Sequence, residues 1–177
     1  GALSLLSSIK QRDVLDNFCR HLINHCGEEG VNAVLGYITD DSAKMGLRRD
    51  ACWGLAKVSP EARALAQAGM KKLMTLQLPE GLQHILCRTL GDSYGEVSKE
   101  HAFRNLMGLL NDPTCCIKPE VLIEKVVDFG TPRDTNQWLS LLEGSWTRKE
   151  QTEILRGAAR ISGSGEILLE LLQNPPA

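Results

Sequence analysis

Residues 106–110 read Leu106-Met107-Gly108-Leu109-Leu110: two adjacent apolar residues, one spacer, then two more. The phrase stands again at Val34-Leu35-Gly36-Tyr37-Ile38, in shortened form at Leu73-Met74-Thr75-Leu76, and at Trp138-Leu139-Ser140-Leu141-Leu142 and Leu168-Leu169-Glu170-Leu171-Leu172. Its first residues fall at 34, 73, 106, 138 and 168, in steps of 39, 33, 32 and 30. That is the spacing of stacked helical repeats, which bury a continuous core between neighbours and leave one long curved face free. The expectation is an all-α chain: a right-handed superhelical stack of about ten helices in roughly five repeats, with residues 1–177 forming one domain.

The intervening sequence agrees with helices. Turn signals arrive about every fifteen residues, and the stretches between them show three-and-four spacing rather than alternation. Leu15, Phe18, Cys19, Leu22 and Cys26 make one stripe, with Gly27 placed to end it as a left-handed cap. Val31, Val34, Leu35 and Ile38 make the next, broken by Asp40-Asp41-Ser42. Ser59-Pro60 separates Leu47, Ala51, Leu55 and Val58 from Leu65, Gly69, Leu73 and Leu76, with Ser as N-cap and Pro at the first helical position. Leu82, Ile85, Leu86 and Leu90 follow, and Gly91 to Gly95 is expected to end that helix. Phe103, Leu106, Leu109 and Leu110 lead to the Asn111–Thr114 loop, and Lys118-Pro119 opens Val121, Leu122, Val126 and Phe129. Thr131-Pro132-Arg133-Asp134 is a further start signal, and Thr147-Arg148-Lys149-Glu150 matches the capping box that satisfies two orphan backbone donors. Beyond it lie Ile154, Leu155, Ala158 and Ala159, then Ser162-Gly163-Ser164-Gly165 and a last stripe from Ile167 to Leu172. No strand pattern occurs.

Composition narrows the function classes. A chain of 177 residues can bury roughly 70% of its unfolded surface, so it needs no disulfide or metal staple. At 42% hydrophobic and 24% charged it reads as neither disordered nor membrane-spanning. The formal net charge of −2 argues against a general nucleic-acid binder, which needs a strongly positive balance. Cys19, Cys26, Cys52, Cys87, Cys115 and Cys116 contain no C-x-x-C pair and are read as reduced thiols of a cytoplasmic or nuclear compartment. The chain opens at Gly1-Ala2-Leu3 without Met and stops at Pro175-Pro176-Ala177, so the reading treats it as a segment of a longer protein whose targeting signal could lie elsewhere.

From Leu47 to Gln77 the text is LRRDACWGLAKVSPEARALAQAGMKKLMTLQ. It resembles an armadillo repeat: a third helix carrying Ala51-Cys52-Trp53 and Leu55, a polar break, then Ala68-Gly69 leading into Leu73. The resemblance covers one repeat, and the rest follows only in its apolar ladder and spacing. Steps of 30 to 39 residues are short for armadillo units, so two-helix, HEAT-like units are expected for part of the chain. The resemblance implies a protein-binding scaffold that holds a partner segment on its concave face. In nuclear-import members of the family the third helix presents Trp and, four residues later, an Asn that grips an extended peptide. Trp53 matches the Trp, but Lys57 stands at the Asn position. A lysine donates and cannot accept, and it repels a basic signal, so an acidic or phosphorylated segment is the expected ligand.

The candidate binding residues are Arg49, Trp53, Lys57, Arg88, Lys125, Arg156 and Arg160, a basic ladder if the helices that carry them line one face. Against it stands a mixed-charge face, because Asp50, Asp92, Glu124, Asp128 and Glu153 lie among them. Trp53 is either a groove platform or a ring half-buried between repeats, Trp138 is core, and Trp146 is a staple beside a helix cap in preference to an exposed anchor. The two L-x-x-L-L stretches are packing ladder before they are docking motifs. His21 and His25 share a helix face near Cys19 and Cys26, but the ligand set is incomplete, and neither a metal nor a cofactor is expected. No G-x-S-x-G, phosphate loop or carboxylate pair in an apolar setting points to an enzyme. Two other readings stay open: a slice of a longer solenoid or an obligate oligomer, with apolar ends such as Leu5, Leu6, Leu171 and Leu172, and a HEAT-like nucleic-acid enzyme such as a DNA glycosylase.

Overall fold

A computed structural model of the chain describes Leu6 and residues 12–163; the phrase copy at Leu168 to Leu172 and the stripe expected around it lie outside the described residues. Every regular element described is helical, with α1 Arg12–Thr39, α2 Met45–Ala56, α3 Pro60–Met74, α4 Glu80–Gly95, α5 Lys99–Leu110, α6 Pro119–Val127, α7 Thr135–Leu139 and α8 Arg148–Ser162. Short 3-10 turns, Pro132–Asp134 and Ser140–Glu143, flank α7. None of these helices is long and apolar enough to cross a membrane. Two compact units emerge: a first of Gly1–Ser93 with Pro113–Ile117, and a second of Tyr94–Asp112 with Lys118–Ala177.

In the first unit, α1 is two helical arms broken at Gly27, whose φ of 54 and ψ of −125 are open to glycine and strained for any other residue. The break falls where expected, but the ψ is not that of a left-handed cap. The first arm buries Leu15, Cys19 and Ile23 at strict i+4 spacing, and Cys26, the last residue before the break, is exposed. The second arm buries Val31, Val34, Tyr37 and Ile38. Helix α2 lies against α1 at Gly54, where an added Cβ would press on the Cys19 Cβ and stand 2.9 Å from the Asp16 carbonyl oxygen. Helix α3 meets the second arm at Gly69, opposite a Val31 methyl. The joint between α1 and α2 is fixed by a charge: the buried Arg48 donates through Nε to the Ile38 carbonyl at 2.7 Å and through its terminal nitrogen to Asp41 at 2.9 Å. One of the carbonyls left over at a helix end is thereby satisfied.

Pro60 opens α3 at its first turn, but the Ser59 hydroxyl serves the Glu61 carboxylate and does not cap the helix; Ser59 instead donates its amide to Asn24 at 2.9 Å. Helix α4 ends within the expected Gly91–Gly95 stretch, at its last residue. The helix runs on to Gly95 because Leu90 and Tyr94, one turn apart, are both buried, and burying an aromatic ring outweighs the roughly 1 kcal/mol that a helical glycine costs. The Pro113–Ile117 segment is tied to the end of α3, where the Cys116 amide donates to the Met74 carbonyl at 2.7 Å.

In the second unit, Ser98 caps α5 by accepting from the His101 amide, and α5 buries Phe103, Leu106, Met107 and Leu109. Helix α6 buries Val121, Leu122, Ile123, Val126 and Val127. Reciprocal boxes, Thr131 with Asp134 and Thr147 with Glu150, start the Pro132–Asp134 turn and α8, and Gly163 closes α8 in the left-handed region. Trp138 is fully buried and donates its indole N–H to the Ile154 carbonyl at 2.6 Å. The described copies of the repeated phrase therefore contribute mostly to the core: Val34, Tyr37, Ile38, Leu73, Met74, Leu106, Met107, Leu109, Trp138 and Leu141 are all buried, while Leu76 is exposed.

Two of the buried thiols carry a chemical expectation. Burial pushes the thiol of Cys19 up to about 12, with the Asp16 charge adding to it, and burial does the same to Cys52, with Cys19 and Asp50 adding to it and Arg48 and Arg49 opposing it. Such a thiol holds almost no thiolate near neutral pH. Iodoacetamide on the native protein should alkylate the exposed Cys26 and leave Cys19 and Cys52 unmodified until denaturant is added, as peptide mass mapping will show. Equal rates at Cys26 and Cys52 would mean that the α1–α2 core is not closed.

Candidate functional site

Helix α2 has two faces of opposite character. Ala51, Cys52 and Leu55 are fully buried, and Asp50 is nearly so, which removes it from the mixed-charge face that the sequence pattern proposed. Arg49, Trp53 and Lys57 stand four residues apart on the remaining face, so each is one turn above the next. Arg49 and Lys57 are exposed and Trp53 is half-buried. Lys57 occupies the C-cap of α2, where the negative end of the helix dipole favours a cation.

Arg88 completes this group from α4. Its guanidinium carbon lies 5.1 Å from the centroid of the Trp53 ring, a cation–π contact within the first unit. A guanidinium held over a ring keeps N–H donors with which it can bind an oxygen acceptor. Among the described residues, no carboxylate pairs with Arg49, Lys57 or Arg88. Arg88 thus lies over the Trp53 ring, and Arg49 and Lys57 are exposed one turn to either side of Trp53 on α2.

The other three candidate residues lie in the second unit, and each is already matched. Lys125 holds Glu124 at 3.1 Å and Asp128 at 3.5 Å, Arg160 holds Asp128 at 3.1 Å, and Arg156 holds Glu153 at 2.7 Å. Burial would depress the Lys125 ammonium, but hydrogen bonds and charge from Glu124 and Asp128 outweigh it and raise the group above its ordinary value. Exposed ion pairs of this kind contribute roughly 0–1 kcal/mol each. Their effect here is to cancel local charge.

Trp146 does not act as a staple. The staple partner would be the fourth helical residue of α8, which is the exposed Gln151, so there is no apolar side chain for the ring to meet. The indole folds back and donates to the Leu141 carbonyl, passing over Gly144, where a Cβ would stand 2.7 Å from the indole nitrogen. His21 and His25 meet in a tilted arrangement with ring centroids 4.1 Å apart, and no group of three or more His, Cys, Asp or Glu side chains able to hold a metal comes together among the described residues.

Sequence reasoning named all four residues of the α2–α4 face and missed that Arg88 stacks on Trp53. It also missed Arg48, whose only visible signal was its position just after a helix break. Comparison with family models, with curated proteins and with solved structures finds no match.

Proposed function

We propose that the chain is a non-enzymatic protein-binding scaffold, built as an armadillo/HEAT-like stack, whose Arg49–Trp53–Lys57–Arg88 face receives an acidic segment of a partner protein. The observation that carries this reading is the set of three cations without carboxylate partners, one of them stacked on Trp53. Charge-assisted hydrogen bonds from such groups are about twice as strong as neutral ones. Unmatched cations beside one another repel, and an acidic ligand relieves that repulsion. The repeat architecture is supported by the placement of the buried phrase, which closes α1, α3 and α5 and recurs at α7, skipping α2, α4 and α6. The net charge of −2 and the matched cations of the second unit speak for a local acidic contact over a nucleic-acid track.

The test is an array of extended peptides graded in Asp and Glu content, probed with the full chain. Wild type should bind acidic peptides in preference to basic ones, with affinity falling as salt rises towards the screening length of about 8 Å at physiological ionic strength. Lys57→Glu and Arg88→Glu should each weaken that binding about tenfold, roughly 1.4 kcal/mol, while Arg156→Glu should not. Trp53→Ala should weaken it as well, because Arg88 loses the ring it lies over. Indifference of the array to both Lys57→Glu and Arg88→Glu removes the face from the proposal.

A further inference from the structure

The second unit contains a cavity of about 290 Å³ between the C-terminal half of α5 and the segment from Gln137 to Trp146. Gly108 contributes to its lining, Met107, Leu141 and Trp146 add apolar surface, and Arg104 and Asn111 add polar groups. It is separate from the α2–α4 face and does not depend on the reading given to that face.

Nothing in the fold requires glycine at position 108. Its backbone is helical with negative φ, and a Cβ added there meets no atom within 4 Å. Alanine would strengthen the helix. What glycine provides at this position is room in the cavity.

Trp146 is set for the same purpose. Its one polar atom is occupied by the Leu141 carbonyl, so the rest of the ring offers carbon only, and Gly144 leaves the space that lets the ring lie back. Met107 supplies a polarisable side chain well suited to an aromatic neighbour. The lining carries a cation and no carboxylate. Arg104 reaches Glu100 on its own helix through one terminal nitrogen, and a guanidinium has further donors to offer.

We propose that this cavity binds a small ring-bearing carboxylate, with the ring against Trp146 and Met107 above Gly108 and the carboxylate at Arg104. The volume lies at the lower edge of small-molecule sites, which run from about 300 to 1,000 Å³, so a single ring with a short acid arm fits it. The guanidinium donors that Glu100 leaves unused select a carboxylate over an amine.

The experiment uses the full 177-residue chain and 3-phenylpropanoate, read through the three indole N–H resonances of a ¹⁵N-labelled sample, with 3-phenylpropanamide as the uncharged control. The acid should move the Trp146 resonance saturably with a dissociation constant on the order of 1 mM, and the amide should bind about tenfold more weakly. Gly108→Met, which fills the cavity with a good helix former, should abolish the shift, and Gly108→Ala should reduce it. Arg104→Gln, at an exposed position, should bring the acid down to the level of the amide and leave the amide unchanged. Thermal melts of these variants at or near wild type keep the comparison clean. The proposal is overturned if Trp146 shows no saturable shift, if the shift survives Gly108→Met, if acid and amide bind wild type alike, or if only the Trp53 resonance responds.

Discussion

Trp138→Ala is expected to destabilise the protein by about 3–5 kcal/mol, the range for removing a buried tryptophan and leaving a cavity that cannot fully collapse. Three features put it at the upper end. The ring is fully buried, its indole N–H reaches the Ile154 carbonyl at 2.6 Å, and its centroid lies 6.5 Å from that of Phe103 in a tilted arrangement. Gly157 is fitted to it, since a Cβ there would come within 2.7 Å of both the indole and a Val127 methyl. One side chain thus joins α5, α6, α7 and α8. Trp138→Phe should cost less, because it keeps most of the apolar surface and gives up the hydrogen bond. Urea unfolding gives the magnitude, and amide exchange gives the location: protection should fall first in 119–162, and α1 to α3 should be least affected. A Trp138→Ala protein with the wild-type urea midpoint would show that the ring is not the centre of this unit.

Helix placement was legible where local chemistry and burial point the same way. Thr147 and Glu150 mark the start of α8, Ile154, Ala158 and Ile161 mark its buried face, and Gly163 marks its end, all from residues within the helix itself. The pattern is less exact about which bond a residue makes and where within a stretch a helix stops. Gly91–Gly95 ends α4 as expected, but only at its last residue, because Tyr94 is buried; Ser59 stands at the N-cap of α3 as expected, but its hydroxyl goes to Glu61 in place of a helix amide. Pro113–Ile117 groups with the first unit, where Cys116 bonds to the Met74 and Thr75 carbonyls, and no spacing rule reports such bonds. The candidate face divides in the same way. Arg49, Trp53 and Lys57 share a face by periodicity alone, and Lys125–Asp128 and Glu153–Arg156 are readable as i+3 pairs. Arg88 on Trp53 and Arg160 on Asp128 join different helices, and only the folded chain brings them together.

Gly54→Val is expected to cost about 3 kcal/mol, the upper part of the range for forcing extra atoms into a packed core. Helix propensity alone predicts the opposite sign, since glycine is the poorer helix former by a few tenths of a kcal/mol or more. Packing decides, because the atoms in the way cannot step aside. The first added carbon would press on the Cys19 Cβ and stand 2.9 Å from the Asp16 carbonyl oxygen and 3.3 Å from the Arg20 amide nitrogen, two of them backbone atoms of α1. Relief requires α2 to move away from α1 as a body, which would open the contacts of Cys52 and Leu55, both fully buried. Gly54→Ala should lose less but still destabilise. Gly108→Ala is the matched control: the same change, also within a helix, at a site where the methyl meets nothing, and it should stabilise by about 0.5–1 kcal/mol. Opposite signs for the two alanine variants in one set of urea titrations follow only if α1 and α2 touch backbone to backbone at Gly54. Two stabilising outcomes would place that contact elsewhere and reopen the packing of the helix that carries Arg49, Trp53 and Lys57.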